Sequence, residues 1–65
     1  MSENLIVQPY YTRSEAASLL RVSMRTLDRW RHAGMLHCVR SRTGRVRIPR
    51  DSLLAALAAL TRGDL

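Results

Sequence analysis

Three closely spaced signals constrain this chain more than anything else in it. Thr12-Arg13-Ser14-Glu15 has the spacing of a capping box, in which the Thr hydroxyl and the Glu carboxylate satisfy backbone donors left free at a helix start. Ser23 is a second good N-cap, and Gly34 offers the left-handed residue that commonly ends a helix. The spacing predicts one helix after Thr12, with Ala16, Leu19 and Leu20 as its buried stripe, a tight connection at Arg21-Val22, and a second helix from Ser23 to about Ala33. Two short helices joined by about three residues form a helix-turn-helix unit.

The remainder supplies a hairpin and a third helix. From Leu36 to Ile48, β-branched and apolar residues alternate with arginines around Arg42-Thr43-Gly44, a turn in which Gly44 can take a positive φ. Pro49 should end the hairpin. Asp51 then sits near a helix start, where a carboxylate complements the dipole, and Leu53, Ala56, Leu57 and Leu60 recur at helical spacing. The expected fold is mainly α with a small β-hairpin, a winged helix-turn-helix of three helices and a two-stranded wing. Residues 1–11 read as a mostly irregular arm, in which Leu5, Ile6 and Val7 could add a brief extended segment and Pro9 discourages helix. Residues 12–61 read as the domain, and residues 62–65 as a frayed tail.

Composition narrows the partner. A chain of 65 residues has room for one compact core, and its single cysteine, Cys38, cannot make an internal disulfide. No apolar run approaches the roughly 20 residues of a membrane span, and the N-terminus lacks the form of a secretory signal, so the expected location is the cytoplasm. Eleven basic residues against five acidic ones give a net charge of +6, which implies a polyanionic partner. Every basic residue is arginine, whose planar fork suits phosphate and guanine. No nucleophile stands with a base, and no carboxylate cluster or spaced His/Cys set suggests a metal, so neither an enzyme nor a cofactor is expected.

Within the second helix, successive residues turn by about 100°. With Leu27 at zero, Met24 and Trp30 fall within about 60° of it and Gly34 within about 20°, the core side. Arg25, Arg29 and His32 fall at about 160°, 200° and 140°, the opposite side. An α-helix fits the major groove, and arginines at i and i+4 reach base edges about one turn apart, with guanine as the preferred acceptor. Asp28 lies beside them and can hold an arginine in place, while Ser23 and Thr26 suit phosphate oxygens. The wing carries Arg40, Arg42, Arg45 and Arg47, and its tip around Gly44 can enter a minor groove, where negative potential draws arginine. The plainer reading of both surfaces is a solvated basic helix face and a charged edge strand.

These residues carry a resemblance. Tyr11-Thr12-Arg13-Ser14-Glu15-Ala16-Ala17, the segment from Val22 to Trp30, and Gly44-Arg45-Val46-Arg47-Ile48-Pro49-Arg50 resemble the excisionase and MerR-like winged helix-turn-helix family over roughly residues 11–60. The resemblance implies that Arg25 and Arg29 read bases, that Ser23 and Thr26 contact the backbone, and that Arg45 beside Gly44 meets the minor groove. It implies a small phage or mobile-element excisionase, or recombination directionality factor: a double-stranded DNA binder that bends attachment-site DNA and turns a tyrosine integrase toward excision. The alternative is a small MerR-like transcriptional regulator. A third reading is a module that places its basic face on another protein or a membrane surface. Ala55, Ala58 and Ala59, with Leu54 at the border, leave a smooth strip on the last helix suited to head-to-tail self-association on DNA or to integrase docking, although alanine is also simply the best helix former.

Overall fold

The computed structural model describes residues 8–63. In chain order it contains β1 (Tyr10–Tyr11), α1 (Arg13–Leu20), α2 (Met24–His32), β2 (Val39–Arg40), β3 (Val46–Pro49) and α3 (Arg50–Arg62). Three helices pack with a small antiparallel sheet whose hairpin β2–β3 forms the wing, the winged helix-turn-helix expected from the sequence.

The helix starts form where the capping residues stand. Thr12 Oγ1 accepts from the Glu15 amide at 3.1 Å and Glu15 Oε1 accepts from the Thr12 amide at 2.9 Å, completing the capping box. Ser23 Oγ accepts from the Thr26 amide at 3.1 Å. Asp51 lies in the first turn of α3.

The helix ends are more instructive. The Gly34 and Met35 amides donate to the carbonyls of Arg31 and Trp30, a Schellman closure with Gly34 at φ +81°. Helix α1 closes in the same way, through the Arg21 and Val22 amides to Ser18 and Ala17, but its left-handed residue is Arg21, at φ 60°. A side chain with a Cβ is strained there, so Arg21→Gly is expected to raise stability by up to about 1 kcal/mol, read as a higher urea midpoint with an unchanged m value.

The sheet has one strand more than expected, in the order β1-β3-β2. Tyr10 and Tyr11 lie opposite Pro49 and Ile48, and the Arg50 amide donates to the Pro9 carbonyl at 2.9 Å. The expectation of an irregular arm fails at these residues because Tyr11 is a core residue, 2% exposed, and its burial draws the preceding backbone onto β3. Pro49 ends the hairpin as expected, serving as the last residue of β3 and the N-cap of α3. Leu5, Ile6 and Val7 lie outside the described residues. At the other end Arg62 is helical and Gly63 takes the left-handed cap at φ 84°, so the expected fraying does not begin at Arg62; Asp64 and Leu65 lie outside the described residues.

Leu27, Ile48 and Leu53, from α2, β3 and α3, are fully enclosed at the centre. Around them lie Tyr11, Ala16, Ala17, Leu20, Leu36 and Ala56, with Leu19, Val22, Trp30, Cys38, Val46, Leu57 and Leu60 half-buried at the margin. Trp30 therefore packs against the core. Met24 does not: it is 38% exposed, against its expected inward position, because it is the first residue of α2 and faces an open space lined by the start of α1 and the wing. Gly34 is exposed as well, since the helical wheel stops at His32. On α3, Leu54, Ala55 and Ala58 are exposed while Ala59 is half-buried.

Candidate nucleic-acid interface

Burying Leu27 fixes the rotation of α2, and the opposite face follows from helix geometry. Arg25, Arg29 and His32 are all exposed there. Among the described residues, the guanidinium groups of Arg25 and Arg29 make no hydrogen bond or ion pair to the protein, so their donors stay available to an acceptor outside it. At the N-terminus of α2, Ser23 Oγ donates to Thr26 Oγ1 at 3.1 Å as well as accepting the Thr26 amide. The Ser23 hydroxyl is thus engaged within the cap, while Thr26 Oγ1 serves there as an acceptor.

Asp28 holds an arginine, as its position suggested, but neither of the two beside it on the exposed face. Its carboxylate accepts Arg13 Nη1 at 3.2 and 3.0 Å and Arg31 Nη2 at 3.5 Å, which ties the first turn of α1 to the middle of α2. Burial pushes the Asp28 carboxyl up, but the hydrogen bond and charge of Arg13, followed by the charge and hydrogen bond of Arg31, outweigh it and hold the group below its ordinary value. A carboxyl depressed in the folded state contributes stability that is fully present above its unfolded value, near pH 4, and lost as pH falls through the lower folded value. Asp28→Asn is therefore expected to flatten the acid limb of the stability–pH curve below about pH 4 while leaving the shape of the curve near neutrality unchanged, as followed by urea unfolding across pH.

The wing is built by its turn. Gly44 sits at φ +86° with its amide on the Ser41 carbonyl at 2.9 Å, and the Ser41 amide returns to the Arg45 carbonyl at 2.8 Å. Ser41 Oγ also accepts the Arg45 amide at 3.2 Å. Register places Val39 opposite Arg47 and Arg40 opposite Val46, so each face of the hairpin carries one arginine of the ladder. Arg40 Nη1 folds over the turn onto the Gly44 carbonyl at 2.9 Å, and Arg47 Nη1 onto the Val46 carbonyl at 3.0 Å. Arg42 and Arg45 are exposed at the tip. Arg40 and Arg47 are thus partly committed to shaping the wing, while Arg42 and Arg45 extend from it.

Between this wing and the helix pair lies an open cleft of about 530 Å³, lined by Arg13, Met24, Arg31, Arg40, Arg45 and Arg47 among others. Sequence reasoning picked out the wing arginines of this group and missed Arg13 and Arg31. The i,i+3 spacing of Asp28 and Arg31 was a usable signal. Nothing local marks Arg13, whose link to Asp28 spans 15 positions.

Cys38 is half-buried, its thiol donating to the Leu36 carbonyl at 3.6 Å, and burial pushes that thiol up. Among the described residues no three His, Cys, Asp or Glu side chains converge as a metal site, and no helix is long and apolar enough to cross a membrane.

Comparison with known proteins agrees with the geometry. A model of a helix-turn-helix domain matches residues 10–61. Over 33 residues, 51% of this chain, the sequence is 54% identical to the regulatory protein cox of Haemophilus phage HP1; the match spans 42% of that protein, under half its length. Both findings agree with the excisionase-like helix-turn-helix resemblance read from the sequence.

Proposed function

Because the chain belongs to the helix-turn-helix domain family, a family of DNA-binding domains, we propose that it is a sequence-specific architectural protein of a phage or mobile element. In this reading it acts in the cytoplasm of a bacterial host, where it binds and bends attachment-site DNA and directs a tyrosine integrase toward excision. The observation that carries the DNA-reading part is the face of α2 opposite Leu27, where Arg25 and Arg29 stand exposed with no acceptor in the described protein. That helix reads the major groove, Ser23, Thr26 and His32 flank the reading residues, and Arg42, Gly44 and Arg45 carry the wing into the adjacent minor groove, with Arg40 and Arg47 behind them. Contact in two adjacent grooves supports bending, which costs about 1–6 kcal/mol for a smooth curve and is offset by the added contacts. The likeness to a phage regulatory protein supports the phage setting. That the relative is a regulatory protein also favours a second reading, a small transcriptional regulator that shares these contacts and differs in how its sites are arranged.

Selection of preferred duplexes from a random library, followed by a gel-based bending assay on the winners, tests the proposal. Tandem direct repeats near one helical turn apart, with bending, are the expected result and fit head-to-tail assembly along the DNA. Inverted repeats, or a lone unbent site, would replace it with the regulator.

A further inference from the structure

The cleft between the helix pair and the wing collects five arginines, and no carboxylate lines it. Like charges gathered in a groove repel one another, and Asp28, just behind Arg13 and Arg31, is the acid that pairs with this group. The pairing leaves donors unused. Arg13 meets Asp28 through Nη1 alone, so Nη2 and Nε of its fork remain, and its side chain is 41% exposed. Arg31 meets Asp28 through Nη2 alone, so Nη1 remains, while its Nε is shut away from solvent and takes no part in the grip. The cleft asks for an anion that can be gripped from several directions. No aromatic side chain lines it, so it offers no platform for a stacked base. Its place matters equally: a helix seated in a major groove and a wing in the next minor groove must have one sugar–phosphate strand running between them, and the cleft is the gap between those two elements.

We propose that this cleft seats one phosphodiester strand of bound duplex DNA, gripped by Arg13 and Arg31, with Asp28 as the positioning residue that holds Arg13 toward it. The inference rests on the DNA-binding reading and adds to it a sequence-independent anchor on α1, outside both the reading helix and the wing. Phosphate contacts of this kind set register and orientation and carry no base information. Losing them should therefore weaken all duplexes alike.

The test is a salt series on the selected duplex and on a scrambled one, with wild-type protein, Arg13→Gln, Arg31→Gln and the double variant, each checked for folding by circular dichroism. Each single variant is expected to make the slope of log affinity against log salt shallower by about 0.9, and the double variant by about twice that, with the ratio of selected to scrambled affinity retained. Asp28 is tested by a cycle. Removing its negative charge would tighten DNA binding if only net charge mattered, whereas positioning predicts that Arg13→Gln has little further effect once Asp28→Asn is present. Should a variant fail to fold, wild-type protein on duplexes carrying a single neutral methylphosphonate reads the same contact. One backbone position at the groove boundary is then expected to reproduce the loss of slope. An unchanged slope in the folded double variant, no sensitive backbone position, or a changed selected-to-scrambled ratio would overturn the seat while leaving DNA binding in place. Wild-type protein that ignores duplex DNA altogether would overturn the proposed function, and the seat with it.

Discussion

Leu27→Ala is expected to leave the domain largely unfolded. Leu27 has no exposed surface and meets the core formed with Ile48 of β3 and Leu53 of α3. Truncating a buried leucine to alanine costs about 2–5 kcal/mol, the lost transfer energy plus the cavity left behind. A single core in a chain this small rarely supplies more than about 3–5 kcal/mol in total. The two ranges overlap, so one substitution removes most or all of the margin. The same change at Leu54, 43% exposed on α3, is expected to stay within about 0.5 kcal/mol of wild type. Paired thermal melts followed by circular dichroism distinguish the two. A cooperative melt for Leu27→Ala close to that of Leu54→Ala would mean that the core relaxes around α2, and that the rotation of the reading helix is not fixed by this side chain.

The same leucine explains why the sequence was readable where it was. Helix α2 has a strong N-cap, one central apolar residue and a glycine stop, and every one of those signals is local; its exposed face could be drawn from a wheel. The wing was legible for a similar reason, because alternation and a turn glycine describe a hairpin without reference to anything else. What escaped depends on contact between distant segments. Tyr11 looks like part of a proline-bearing arm until β3 is present to receive it, and only then does β1 exist. Met24 falls on the core side of the wheel yet stays 38% exposed, because it is the first residue of α2 and faces the open cleft between the start of α1 and the wing. Arg21 takes a conformation that glycine would ordinarily hold, so its role in closing α1 has no compositional mark. Arg13 is the functional counterpart of these misses: it reads as an ordinary first helical residue, and its place in the cleft is visible only through Asp28.

Arg29→Ala should have the largest effect on recognition and almost none on the fold. The side chain is exposed, and its guanidinium has no acceptor among the described residues, so removing it breaks no internal contact and should shift stability by no more than about 0.5 kcal/mol. On the selected duplex the loss is expected to be about 1–3 kcal/mol, the worth of a bidentate arginine–guanine pair, or roughly 5- to 150-fold in affinity. The pattern of that loss separates a reading residue from a merely basic one. A phosphate-contacting arginine weakens selected and scrambled duplexes together, as expected for Arg13, whereas Arg29→Ala should fall mainly on the selected duplex and relax preference at one guanine. Arg45→Ala is a useful contrast, because a wing residue drawn by minor-groove potential should respond to A·T content rather than to a single base. If Arg29→Ala keeps the wild-type ratio of selected to scrambled affinity, α2 is not the reading helix. Its basic face would then be an electrostatic surface, and sequence preference would have to arise from the wing and from the deformability of the DNA it bends.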